Sequence, residues 1–156
     1  MPEVRVSRER AIPAPPGEVY RCLADFTRLH PRILPANFTD LRVEEGGVGA
    51  GTVLSFRLKA GGRSRDYRVR VDEPKPGRVM TETDLGSSMV TAFTVTPVGT
   101  GCSVRIDTRW EGATGVGGLV ERLLAPRVLG RLYTAELQRL EIVATEVVTE
   151  ASSAQR

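Results

Sequence analysis

From about Asn37 to Glu111 the chain runs through one alternating apolar and polar segment after another with no helix between them, and a single long amphipathic stretch then extends from Gly118 to about Thr149. One strand and one short helix precede the run. A sheet built from such segments has an apolar face that must be covered, and only the last helix is long enough to cover it. The order predicts an α+β fold in which a curved antiparallel sheet wraps a long C-terminal helix. Space between sheet and helix would form an internal hydrophobic cavity, so binding of an apolar ligand is the default expectation.

The segments are read from their periodicity. Val4 and Val6 mark a first strand over Glu3 to Ile12, which Pro13, Pro15 and Pro16 end. Pro16 pre-sets a helix start with Glu18 in its first turn, and Val19, Cys22, Leu23 and Phe26 place one buried face on a helix over residues 16 to 26. Thr27 to Pro35 carries two prolines and reads as a loop or broken helix. Leu41 and Val43 open the run of strands. Leu54, Phe56 and Leu58, then Tyr67, Val69 and Val71, then Met89, Thr91, Phe93 and Val95, then Cys102, Val104, Ile106, Thr108 and Trp110 each occupy alternate positions. The short turns between them imply antiparallel pairing. In the last helix Leu119, Val120, Leu123 and Leu124 open the apolar stripe, Pro126 is expected to kink it, and Leu129, Leu132, Tyr133, Leu137, Leu140, Val143, Ala144 and Val147 continue it. Residues 1–150 read as one domain, and 151–156 as a frayed polar tail.

Composition narrows the function classes. The net charge is +3, and the basic residues are Arg except for Lys59 and Lys75. Arg68, Arg70, Arg105 and Arg109 alternate with apolar strand residues, which reads as a solvated sheet face, and no nucleic-acid partner is expected. The start MPEVRVSRER has no apolar run and no later segment suits a membrane span, so a cytoplasmic protein without stable membrane insertion is expected. Cys22 and Cys102 match no metal-ligand spacing and read as small core residues. His30 is the only histidine, which excludes a His-rich site; neither metal nor cofactor is expected.

The segments APPGEVYRCLADF, GGVGAGT and TRWEG, followed by a Gly-rich loop and a helix of the form ERLLAP…ELQRLE, resemble the START-like SRPBCC superfamily, near its polyketide cyclase/dehydrase and lipid-transport branch. The resemblance covers nearly the whole chain. It implies a helix-grip fold around a deep hydrophobic cavity, with members that carry lipids, bind small molecules, or cyclise and dehydrate polyketides. The family's catalytic residues vary, so none is carried over.

Several constellations could carry chemistry. Gly47 to Gly51 leads into a strand and so lacks the helix N-terminus that a phosphate cradle needs; Gly112 to Gly118 lacks the Lys-Ser/Thr of a P-loop and reads as a neck or hinge. The catalytic candidates are Glu136 and His30. Glu136 falls within the apolar stripe of the last helix, where a carboxylate must be paired, protonated or hydrated. An ion pair with Arg139 or a sheet Arg is the favoured reading, and a polar anchor or general acid/base is the alternative. His30 lies on the loop over one end of the cavity and reads as a surface or capping residue that could exchange a proton with a neighbouring substrate. Glu82 and Asp84 alternate with Val79, Thr81 and Thr83 and are expected to face solvent.

The expected cavity lining is Leu54, Phe56, Leu58, Tyr67, Val69, Met89, Thr91, Phe93, Ile106, Thr108, Trp110, Leu129, Leu132, Tyr133 and Glu136. The favoured function is non-catalytic binding or carriage of a hydrophobic small molecule such as a lipid, isoprenoid or polyketide. The alternatives are an aromatase or cyclase of polyketide type and a protein-interaction module.

Overall fold

The computed structural model describes residues 3–156. Strand β1 (Glu3–Ile12) is followed by helices α1 (Pro16–Ala24) and α2 (His30–Ile33). Strands β2 (Phe38–Glu45), β3 (Val53–Ala60), β4 (Arg63–Lys75), β5 (Val79–Asp84), β6 (Val90–Val98) and β7 (Gly101–Glu111) come next, and α3 (Gly115–Ala154) ends the chain. The seven strands form one antiparallel sheet in the order β1-β7-β6-β5-β4-β3-β2. Successive strands from β2 to β7 are neighbours, as short turns dictate. The first strand returns to the far edge to pair with β7.

The apolar period of each strand faces α3. Val4, Val6, Val69, Val71, Met80, Phe93, Val95, Val104 and Ile106 are buried, while Arg68, Arg70, Arg105 and Arg109 stand on the solvated face. On the helix side Tyr133, Leu137, Leu140, Val143, Ala144 and Val147 join that core. Helix α3 packs on β1, α1 and α2. Its approach to β1 is close at Gly130, where a Cβ would collide with the Arg8 guanidinium.

The Gly-rich segment before β3 is filled from within the chain. The Glu73 carboxylate accepts the Ala50 amide at 2.7 Å and the Tyr20 hydroxyl at 2.6 Å. Gly49, at φ 65°, leaves the space that carboxylate occupies. The loop thus ties α1 to β4.

Several expectations change in detail. Helix α1 ends at Ala24 because Asp25 turns the chain: its Oδ1 accepts the Thr27 and Arg28 amides at 3.2 and 3.0 Å. A short helix, α2, then starts with Pro31 near its N-terminus, where a proline costs no hydrogen bond. Helix α3 begins at Gly115, so most of the expected neck is helical, and it continues through Pro126 and on to Ala154 into the segment expected to fray. Leu119, Val120, Leu123 and Leu124 do not extend the buried stripe; all four are about half exposed.

Candidate functional site

The concave face of the sheet, α2 and the middle of α3 enclose a cavity of about 70 Å³, and counting the crevices between side chains and the open mouth the empty space comes to about 720 Å³. Its walls are mostly apolar. Of the expected lining, Leu54, Phe56, Leu58, Tyr67, Val69, Met89, Thr91, Phe93, Leu129, Tyr133 and Glu136 border it. Ile106, Thr108, Trp110 and Leu132 do not. Thr108 is shielded because its hydroxyl lies 2.5 Å from the Tyr133 hydroxyl and 2.7 Å from that of Thr91, so Tyr133 covers it. Ile106 is buried core beside Phe93. The Trp110 indole is half-buried and donates instead to the Glu121 carboxylate, which also accepts the Ala113 amide at 3.0 Å. Leu132 is buried outside the lining.

The sequence reading missed His30, Leu34, Phe38, Leu41, Glu82 and Asp84 as lining residues. His30 is not a surface residue but 3% exposed. The end of α1 holds it twice, since its amide donates to the Asp25 carbonyl at 2.8 Å and its Nδ1 lies 2.7 Å from the Leu23 carbonyl. A carbonyl only accepts, so Nδ1 carries the proton and Nε2 is left as an acceptor. Phe26 packs on one side of the ring at 4.5 Å between centroids, and Phe93 meets it edge-on at 5.9 Å. Burial lowers the imidazole pKa to about 4, only partly offset by the Leu23 contact, so the ring is neutral near pH 7.

The Nε2 atom faces two carboxyl groups. Glu136 of α3 approaches to 3.9 Å and Glu82 of β5 to 4.0 Å. The favoured Arg partner for Glu136 is therefore absent: among the described residues neither glutamate has an Arg or Lys within ion-pair distance, because the face of α3 carrying Glu136 turns into the cavity. Burial raises Glu136 well above the usual carboxylate range, and the nearby Glu82 charge adds to that; burial alone raises Glu82 to about 7.

Glu82 and Asp84 do not face solvent. The register sets Val71 opposite Glu82 and Glu82 opposite Thr91, on the same face as Met80 and Phe93. The overlooked signal is Met80, two residues before Glu82 and fully buried. Asp84 is the one lining carboxylate with its own partners: Ser87 donates at 2.5 Å and Arg65, whose guanidinium also lies over the Tyr67 ring, approaches to 3.5 Å. The arrangement is a mostly apolar cavity in which a neutral imidazole and two carboxyl groups without basic partners meet, with the paired Asp84 further along the same strand.

A family-wide sequence profile described as "Polyketide cyclase / dehydrase and lipid transport" matches residues 3–145. Among solved structures, the KanY protein, determined by NMR in solution, is 36% identical over 93% of this chain and 99% of its own, with a TM-score of 0.82. A Thermus thermophilus protein is 23% identical over 94% and 99%, at a TM-score of 0.77. The ZhuI aromatase/cyclase of a Streptomyces species is 17% identical over 94% and 96%, at a TM-score of 0.78, a likeness of fold. No curated protein sequence matches the chain. Among the described residues no helix is long and apolar enough to cross a membrane.

Proposed function

The chain belongs to the polyketide cyclase/dehydrase and lipid transport family, and on that premise we propose that it binds an apolar small molecule inside the cavity, as a carrier or sensor. The observation that carries this reading is an apolar chamber open at one side and closing on one polar end. The walls supply affinity by burying hydrocarbon, and the polar end supplies orientation. The small volume of the closed chamber means that a ligand larger than a few waters fills the crevices and displaces side chains at the mouth, with Leu34, Phe38 and Leu129 among the lining. Titration with a panel of fatty acids, isoprenoids and aromatic polyketides is expected to give saturable micromolar binding, about 8 kcal/mol. Phe93→Asp should abolish it, since it adds a third unpaired carboxylate to the same chamber. Folded wild-type protein that binds no member of the panel would end this reading.

A second reading, an enzyme of cyclase or dehydrase type, draws support from the absence of an Arg partner for Glu136. Condensing a poly-β-keto chain requires removal of a proton from carbon next to a carbonyl and delivery of one to oxygen. The Nε2 lone pair of neutral His30 suits the first task and protonated Glu136 the second. His30→Gln and Glu136→Gln would each lower turnover of a polyketide substrate about a hundredfold or more with binding retained; a carrier would show no turnover to lose.

A further inference from the structure

We propose that the ligand carries a protonated amine, seated between Glu82, Glu136 and Nε2 of His30, with its apolar body against the aromatic walls. This rests on the cavity-binding reading above and names the ligand class for the same site.

Once the two glutamates ionise, the three groups form a cluster of acceptors. With Nδ1 committed to the Leu23 carbonyl, Nε2 offers only a lone pair. The carboxyl oxygens of Glu82 and Glu136 stand 4.0 and 3.9 Å from it, too far for a direct hydrogen bond. Such spacing suits a donor placed between Nε2 and the carboxyl oxygens, where charge-assisted bonds run about 2.7 to 2.9 Å. An ammonium has several protons to give and no lone pair, so it matches the cluster and supplies the missing positive charge. A carbonyl ligand brings only acceptors and would draw on a protonated glutamate, and a carboxylate would add a further negative charge to the cluster.

No other group on the surrounding elements supplies that charge. Asp84, also on β5, is held by Ser87 and Arg65, and Arg65 is committed to that carboxylate and the Tyr67 ring. From α3 and the sheet, Tyr133 is engaged with Thr108, which also meets Thr91. The lining contains neither Lys nor Arg. An incoming ammonium favours the ionised form of both glutamates, so protons they held in the empty cavity pass to solvent, and amine affinity should rise as pH rises through about 7, the value to which burial lifts Glu82.

The test uses the full chain and three probes of equal chain length: octylamine, 1-octanol and octanoate. Calorimetry at pH 7.5 in two buffers of different ionisation enthalpy reads affinity and proton release together. Octylamine is expected to bind at least about tenfold more tightly than octanol, with octanoate weaker than both and protons released only with the amine. Glu82→Gln/Glu136→Gln should bring amine and alcohol to within about twofold and abolish the release. Should the double variant misfold, proton release from the wild-type protein still decides. If octanol binds as well as octylamine with no proton release, a water bridges the acceptors and the amine assignment falls while the apolar-cavity reading stands. If none of the three binds, both fall.

Discussion

Replacing Glu82 by Gln should stabilise the protein at neutral and alkaline pH and leave it nearly unchanged in acid. Glu82 goes from 4.5 to about 7 on folding, because its carboxyl enters the cavity without a cation beside it. Below pH 4.5 it is protonated in both states and contributes no ionisation penalty. As pH rises through 4.5 the unfolded chain ionises first, so the wild-type fold loses stability until about pH 7, where the penalty is complete. At about 1.4 kcal/mol per pH unit the rise corresponds to roughly 3 kcal/mol. The side chain keeps 14% of its exposure, towards a chamber that admits water, so about 2 kcal/mol is expected, or some 4 to 8 °C in melting temperature for a chain of this size. His30 works in the opposite sense. Lowered from 6.5 to about 4, it contributes stability above pH 6.5 that is lost as pH falls towards 4, so the wild-type profile mixes opposing slopes. The difference between wild type and Glu82→Gln cancels the histidine contribution and leaves that of Glu82, together with the rise its charge adds to Glu136. Urea denaturation of both proteins from pH 4 to 9 is the assay. The difference should open from near zero at pH 4 to its plateau above pH 7; a difference independent of pH, or a variant less stable at pH 8, would refute the argument.

Tyr133→Phe removes one end of a buried hydroxyl cluster but leaves the Thr91 and Thr108 hydroxyls with each other, so denaturation should show a loss of about 1 kcal/mol, whereas Thr108→Val takes a partner from both Tyr133 and Thr91, which keep only each other, and should cost about 1 to 2 kcal/mol. On α3, a Cβ at Gly117 meets nothing within 4 Å, and one at Gly130 meets only the end of the exposed Arg8 side chain, which can swing aside, so thermal melts should show Gly117→Ala neutral to about 1 kcal/mol stabilising and Gly130→Ala gaining less than Gly117→Ala.

The architecture was legible because period-2 and period-3.6 patterns are local. Leu54, Phe56, Val69 and Phe93 declare which face of each strand is apolar, and Leu137, Leu140, Val143 and Val147 declare the face of α3 that meets it. Segments that bury a face this way leave few arrangements open, so strand order followed from turn length, and most of the cavity wall followed from strand facing. Glu136 was also visible, since a carboxylate inside an apolar helical stripe stands out from its neighbours.

The polar end of the cavity was decided only in three dimensions. A local pattern says that Glu136 is buried but not what it meets; Arg139, one turn away, is a good partner on paper, yet the face of α3 that carries Glu136 points away from solvent and towards α2 and β5. His30 is brought there by the Asp25 turn and the Leu23 carbonyl, a hydrogen-bonding detail no periodicity encodes. Glu82 was assigned to the wrong face because β5 is short and carries threonines on the other side, and only its register with β4 and β6 sets it beside Thr91 and Val71. The start of α3 has the same origin: Leu119 and Leu123 repeat at helical spacing, yet in the fold both stay about half exposed. Periodicity determines which faces can be buried, whereas the partner across each face, and with it the charge state of every group in the cavity, is a property of the assembled fold.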